Sequence, residues 1–371
     1  MGFYEEYKKL KNIPFEEFFQ NCNQGMVKRV LEKDQLDERD FLILLSPIAK
    51  EFLKEMSEKT RQLTTQQFGH QIQLFTPMYL ADYCVNHCAY CSFSIIHGFE
   101  RKKLSMQEIE EEANQIAKTG IKQILILTGE SRIETPVSYI KESVQVLKKH
   151  FSSIAIEIYP LNTEEYQELV EAGVEGLTIY QEVYNEDIYK EIHIKGPKRN
   201  YLYRLDVPER GCIAGMRSVN IGALLGMDDW RKESFFTGAH ANYLQNKYPL
   251  VNISISPPRL RPHLGSFQPK SVVSDEDLIQ IVLALRLYQP KLGLTLSTRE
   301  GSELRDRMVH LGITKMSAGV STEVGGYSQQ NEEKGVQQFQ ISDERTAEEL
   351  IDRLVNQGYQ PILDKNALVK V

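Results

Sequence analysis

Three of the five cysteines fall within eight positions, as Cys84, Cys88 and Cys91 in the stretch YCVNHCAYCSF. Thiols at this C-x3-C-x2-C spacing can ligate a metal, and the number of them limits which one. A structural zinc site takes four ligands, usually from two C-x2-C knuckles. No second knuckle exists here, because Cys22 and Cys212 stand alone. His87 adjoins Cys88, and neighbouring residues rarely reach one ion together. Three thiolates suit a 4Fe–4S cluster, in which each holds one iron and the fourth iron stays open. An open iron can bind a small molecule, which makes such a cluster catalytic. Zinc and simple packing of the three thiols remain the competing readings.

The residues around this stretch must position it. The first seventy read as helices, with apolar residues at helical spacing in FEEFFQNCNQGMVKRVLEK and DERDFLILLSPIAKEFLKEMSEKTRQL. From Gln71 short apolar runs alternate with amphipathic segments. Strands are expected in IQLFTPMY, KQILILTG, SIAIEIYP, EGLTIYQ, RSVNIGAL, LVNISISP, KLGLTLST and GITKMSAG. One intervening helix opens at a capping box, Ser105 with Glu108, and stops near Gly120; another takes Ser274 as N-cap. Eight strands alternating with helices predict an α/β fold, a (β/α)8 barrel. A doubly wound sheet is the alternative, but no Gly-rich turn follows the first strand. The organisation expected is a helical extension over residues 1–70, the barrel over 71–318, and a loop–helix–strand extension over 319–371.

A barrel enzyme carries its site at the C-terminal ends of its strands. Those ends hold the cysteines, then Thr128, Gly129 and Glu130, then Glu157, then Tyr180 to Glu182, Gly222, Ser256, and Ser297 to Glu300. Apolar residues at 41% and charged residues at 26% allow a core and exclude a disordered chain. The net charge of −7 argues against nucleic acid as a partner. No run of 18 apolar residues and no apolar leader appear, so a cytoplasmic protein without a membrane partner is expected. Reduced thiols fit that compartment.

The C-x3-C-x-aromatic-C pattern of Cys84, Cys88, Tyr90 and Cys91 resembles the signature of the radical S-adenosylmethionine enzymes. Similarity extends through MYLADYCVNHCAYCSF, ILILTGES, EIYPLNTEEYQELVEAGVEGLTIYQEVYN, NYLYRLDVPER, IGALLGMDDWR, SISPPRLRP, LTLSTRE and QFQISDERTAEEL to the tyrosine-lyase branch that serves thiamine biosynthesis. That resemblance implies a 4Fe–4S cluster and S-adenosylmethionine as cofactors. It implies cleavage of the Cα–Cβ bond of L-tyrosine to 2-iminoacetate and p-cresol, with thiazole synthase receiving the imine and a flavodoxin- or ferredoxin-type protein as reductant. Related readings are a tryptophan-cleaving or a hydrogenase-maturation lyase. The latter carries a second cysteine-bound cluster in a C-terminal extension, and no cysteine follows Cys212 here. The alternative from another class is a non-catalytic iron–sulfur electron carrier.

Carried over residue by residue, the resemblance places Cys84, Cys88 and Cys91 on the cluster and Tyr90 near the adenine of the cofactor. Thr128, Gly129 and Glu130 match the motif that receives its amino group, with Thr where the superfamily often has Gly. Glu182 and Arg204 fall where polar contacts to the methionyl end are made, and Gly222 where backbone approaches the adenine. Arg299 would clamp the tyrosine carboxylate and Ser297 would orient the amine. Glu157 reads equally as a site carboxylate or a buried structural one. Arg259 and Arg261 could face the pocket or pair with acidic loops.

Overall fold

The structure is a computed structural model that describes residues 2–328 and 336–364. Residues 329–335, within the polar loop expected after Gly319, and 365–371 lie outside the described residues. Eleven strands occur among them. In chain order these are β1 (Gln71–Ala81), β2 (His87–Cys88), β3 (Gln123–Thr128), β4 (Ser153–Glu157), β5 (Gly176–Glu182), β6 (His193–Lys195), β7 (Ser218–Ala223), β8 (Asn252–Ile255), β9 (Gly293–Leu296), β10 (Lys315–Ser317) and β11 (Gln360–Ile362).

Eight of them form the expected parallel barrel. The ring runs β1-β3-β4-β5-β7-β8-β9-β10, and pairing of β10 with β1 closes it. Every run read from the sequence as a barrel strand is one. Parallel strands covered by helices are buried on their outer face, so they appear as apolar runs bounded by turns. The helices between them start where their caps dictate. Full capping boxes open Met106–Ala117 at Ser105 and Asp275–Tyr288 at Ser274. A third, at Asn162, opens Thr163–Ala172.

The interior departs from the usual filling of such barrels by bulky branched side chains. Below the strand ends, Gln73, Thr178, Asn220, Ser254 and Thr295 point inward and line a cavity of about 590 Å³ open at the N-terminal rim. The apolar core instead lies between strands and helices and continues into the N-terminal helices. Phe41 stacks on Tyr288 at 4.6 Å and Phe3 on His240 at 4.0 Å, which binds those helices to the barrel's outer layer. At Gly238 a side chain would collide with the Phe41 ring.

The final helix, Ala347–Asn356, takes Thr346 as its N-cap. Asp343 could have capped it, for about 1 kcal/mol. Its carboxylate is instead drawn into a fully buried ion pair with Arg305 and a second one with Arg345. Breaking such a buried pair costs about 3–5 kcal/mol, so the ion pair prevails and the capping box falls to Thr346 and Glu349. Beyond that helix, β11 lies along the lower part of β1, below the point where β3 begins to pair with it. The Lys122 N–H donates to the Leu363 carbonyl and completes the edge.

Candidate active site

The segment after β1 carries the three cysteines, and its path is set mainly by hydrogen bonds other than those of their thiols. Arg101 donates to the carbonyls of Asp82, Phe93 and Ser94 at 2.7–2.8 Å, drawing the two ends of the loop together. Asp82 accepts from the Lys102 N–H at 2.8 Å. Asn86, fully buried, donates to Glu130 at 2.6 Å and accepts from the Lys198 N–H at 3.0 Å. The pair β2–β6 ties His87 and Cys88 to the segment 193–195. Gly129 permits all this: a side chain there would run into the Tyr83 carbonyl, so only glycine lets the loop backbone cross the end of β3.

The three thiols lie close enough to influence one another's ionisation. Burial pushes the Cys91 thiol up to about 11, and Cys84 adds to the shift while Lys198 opposes it. Cys88 is raised by burial as well. Among the described residues no three His, Cys, Asp or Glu side chains converge on a single metal ion. Three thiols on one short loop suit a polynuclear cluster, each thiolate meeting a different iron.

Next to the cysteines sits a knot of buried charge. Glu182 ends β5 at φ +73°, the sole non-glycine at positive φ among the described residues. A bulge between Tyr180 and Glu182 produces that turn, and such strain persists only where the surroundings hold it. Here Lys198 binds the carboxylate at 2.8 Å and Arg204 at 3.3 Å, while Arg204 also donates to the Tyr180 carbonyl at 2.7 Å. Burial works to raise the Glu182 carboxyl, yet the two cations hold it below its ordinary range. Lys198 and Arg204 share this one carboxylate as their direct ion-pair partner. The Thr128 hydroxyl, at the end of β3, and the Gln181 amide, next to Glu182 on β5, are buried without hydrogen-bond partners. Polar atoms orphaned in this way are open to a ligand or to water.

Tyr90 turns its hydroxyl to His193 Nε2 at 2.9 Å. His193 Nδ1 faces the Tyr189 carbonyl at 2.8 Å and must donate there, so Nε2 accepts from the tyrosine. Burial holds His193 well below its ordinary range, which keeps it neutral. Glu233, at the start of helix Trp230–Lys247, accepts from the N–H groups of Tyr184 and Asn185 at 2.6 and 3.3 Å and anchors the turn after Glu182. Burial lifts its carboxyl from 4.5 to about 8. Stability drawn from the neutral form is complete below pH 4.5 and is lost as pH rises through 8. The Tm difference between the native protein and Glu233→Gln, followed from pH 5 to 9, is expected to shift against the native protein by several degrees as pH rises; a flat difference would contradict it.

On the other side of the mouth, after β9, Arg299 lies over the Phe339 ring at 3.4 Å. Its guanidinium donates to the Arg259 carbonyl at 3.4 Å and has no carboxylate partner among the described residues. Ser297 stands two residues before it and accepts from the Arg299 N–H at 3.4 Å. The neighbouring arginines are engaged elsewhere. Arg259 pairs with Glu300 and with Asp275, and Arg261 reaches Ser342. Gly222 lies against β8, where a side chain would strike the Ser256 carbonyl. The C-terminal segment crosses this half of the mouth: Tyr79 donates to Gln338 at 2.8 Å, and the Ser342 N–H donates to the Thr298 carbonyl at 2.8 Å.

Sequence reasoning had singled out Tyr90, Thr128, Gly129, Glu130, Glu182, Arg204, Gly222, Ser297 and Arg299, and the fold brings all of them to this one end of the barrel. It missed Asn86, Arg101, His193, Lys198 and Glu233. Asn86, inside the motif itself, was the one with a local signal.

A closed (β/α)8 barrel with three cysteines on the loop after its first strand, and unpartnered polar groups at the following strand ends, defines a radical S-adenosylmethionine enzyme. The Radical SAM superfamily pattern matches residues 78–236, and that of the Biotin and Thiamin Synthesis associated domain matches 256–360. The 2-iminoacetate synthase of Escherichia coli K12 is 37% identical over 337 residues, 91% of this chain and 89% of the relative. The solved structure of HydG, a maturase of the FeFe-hydrogenase, superposes with a TM-score of 0.86 at 28% identity, covering 99% of this chain and 80% of that one. Methylornithine synthase shares the fold, with a TM-score of 0.74 at 22% identity over 91% of this chain and 97% of its own. The chain belongs to the 2-iminoacetate synthase family. A 4Fe–4S cluster and S-adenosylmethionine are the cofactors of this superfamily. No helix among the described residues is long and apolar enough to cross a membrane.

Proposed function

We propose that this protein cleaves the Cα–Cβ bond of L-tyrosine, releasing 2-iminoacetate and p-cresol, and so supplies the imine for the thiazole of thiamine. The observation that carries this reading is the 37% identity to a 2-iminoacetate synthase over nine-tenths of the chain. Arg299 supports it: a guanidinium stacked in place, with no acid of its own, is suited to the carboxylate of an amino acid.

Cys84, Cys88 and Cys91 would hold the cluster, and Thr128, Gly129, Glu130, Glu182 and Arg204, together with Tyr90 and Gly222, would hold S-adenosylmethionine. When bound, these two groups supply one electron and a carbon-centred radical that removes a hydrogen atom. The protein's part is position. Arg204 and Lys198 offer charge to the anionic end of the cofactor. Arg299 fixes the tyrosine carboxylate, and Ser297 turns the amine N–H toward the centre of the barrel. Such placement decides which hydrogen is lost, since a reactive radical takes the nearest. With that hydrogen gone from the amine, the Cα–Cβ bond breaks. The glycyl fragment leaves as the imine, and the 4-hydroxybenzyl fragment takes one electron and one proton to become p-cresol.

Water hydrolyses the imine, which favours direct transfer to a thiazole synthase. A flavodoxin- or ferredoxin-type protein would provide the electrons. The test is an anaerobic incubation of iron-reconstituted protein with tyrosine, S-adenosylmethionine and dithionite. p-Cresol and 5′-deoxyadenosine should form in step. Deoxyadenosine without p-cresol would rule out tyrosine as the substrate.

A further inference from the structure

Glu157 ends β4 in the same alternation as Ser153 and Ala155, which line the barrel cavity, so its side chain enters the barrel from the strand's inner face. Its carboxyl makes no hydrogen bond or ion pair among the described residues. Its neighbours are spoken for. The Tyr79 hydroxyl is bound to Gln338, and that of Tyr180 is engaged by Ser256. Both tyrosines lie within electrostatic reach of Glu157, and so does Arg299. Burial and the charge of Glu182 lift the Glu157 carboxyl to about 7. It is therefore a carboxyl set in the mouth of the barrel without a hydrogen-bond partner among the described residues, with Arg299, Arg204 and Lys198 acting on it only at longer electrostatic range.

The ring order states what it faces. In β1-β3-β4-β5-β7-β8-β9-β10, the strands β4 and β9 are four places apart and so lie on opposite walls. Ser297 and Arg299 both belong to the β9 wall and are joined by a hydrogen bond. The carboxylate and amine of an amino acid sit on one carbon, so one wall can hold both. The side chain of that amino acid must then run across the mouth, toward β4. A phenol buried there needs an acceptor for its hydroxyl, since an unpaired buried hydroxyl is costly.

From this we infer that Glu157 accepts the hydrogen bond of the substrate's phenolic hydroxyl and is the residue that selects tyrosine over phenylalanine. The inference rests on tyrosine being the substrate. A site built around a substrate hydroxyl rejects the analogue that lacks it, because the protein's own polar group is then left unpaired.

The test is equilibrium binding of L-tyrosine and of L-phenylalanine to the cluster-loaded protein with S-adenosylmethionine and no reductant, so that nothing turns over. The native protein should prefer tyrosine by roughly 100-fold, the value of one hydrogen bond to a charged acceptor. Glu157→Gln, nearly isosteric, should shrink that preference to about tenfold or less, chiefly through weaker tyrosine binding. Glu157→Leu should abolish it and leave phenylalanine bound as well as before or better. If either variant folds and weakens both amino acids equally, Glu157 serves the head group and the inference is overturned. An unchanged ratio overturns it too. A native protein that binds neither amino acid refutes the tyrosine reading itself, and the inference with it.

Discussion

Exchange of any one of Cys84, Cys88 or Cys91 for serine is expected to remove the iron–sulfur chromophore and reduce turnover to background, while the fold persists. The two halves of that expectation have separate causes. A hydroxyl is a poor ligand for iron beside a thiolate, and a cluster bound by only three residues has none to spare. The loop, however, is held by Arg101 through three carbonyls and by Asn86 through Glu130 and the Lys198 backbone, none of which depends on sulfur. Iron content per chain, visible absorbance and far-ultraviolet circular dichroism, measured on each variant after anaerobic reconstitution, check both halves. A serine variant that keeps a full complement of iron would remove that cysteine from the ligand set. Exchange of Cys22 or Cys212, which lie outside the loop, should leave iron content unchanged.

The second large effect is expected at Arg299. Its replacement by alanine should raise the dissociation constant for tyrosine by about 10²–10³-fold, since two charge-assisted hydrogen bonds of roughly 1.5–3 kcal/mol each are lost. Lysine should recover only part of this. An ammonium presents a point charge where the guanidinium presents a planar fork, and it stacks less well on Phe339. Binding of S-adenosylmethionine should change little, because the charges near its expected place belong to Lys198 and Arg204, in the helical segments 197–199 and 201–205 rather than after β9. Calorimetric titration of both ligands into the cluster-loaded protein measures this contrast. Equal loss of both ligands would mean that Arg299 holds the mouth together rather than the substrate, and unchanged tyrosine binding would place the carboxylate elsewhere.

Much of this site was legible in the linear chain because its parts carry local signals. The cysteines are near neighbours in sequence, and their number alone excludes the usual zinc knuckles. Strands such as Gln123–Thr128 are apolar runs, and helices such as Asp275–Tyr288 announce themselves with capping boxes. Once eight strands are counted, barrel geometry sends the residues that follow each one to a common end. Arg299 and Glu182 became candidates on that ground.

Other parts have no local signal. Lys198 follows a three-residue strand, and its link to Glu182 depends on β6 pairing with the cysteine loop. Arg259 and Arg299 are alike as sequence, both arginines beyond a strand. What separates them is that Glu300 and Asp275 reach one and leave the other free. Nothing near Asp343 in the sequence shows that a buried arginine claims its carboxylate.

By itself, then, the sequence determined the barrel and the family and singled out the stretch proposed to bind the cluster, since each rests on residues within a few positions of one another or on a repeating period. The tertiary structure alone decided which charges are spent on holding the protein together and which remain for a ligand. That partition depends on partners brought from distant strands, and on burial, which makes an unpaired charge costly enough to be informative. Glu157 shows the difference: in the sequence it is a carboxylate at the end of a strand, and in the fold it is an acid without a hydrogen-bond partner among the described residues, on the wall opposite Arg299.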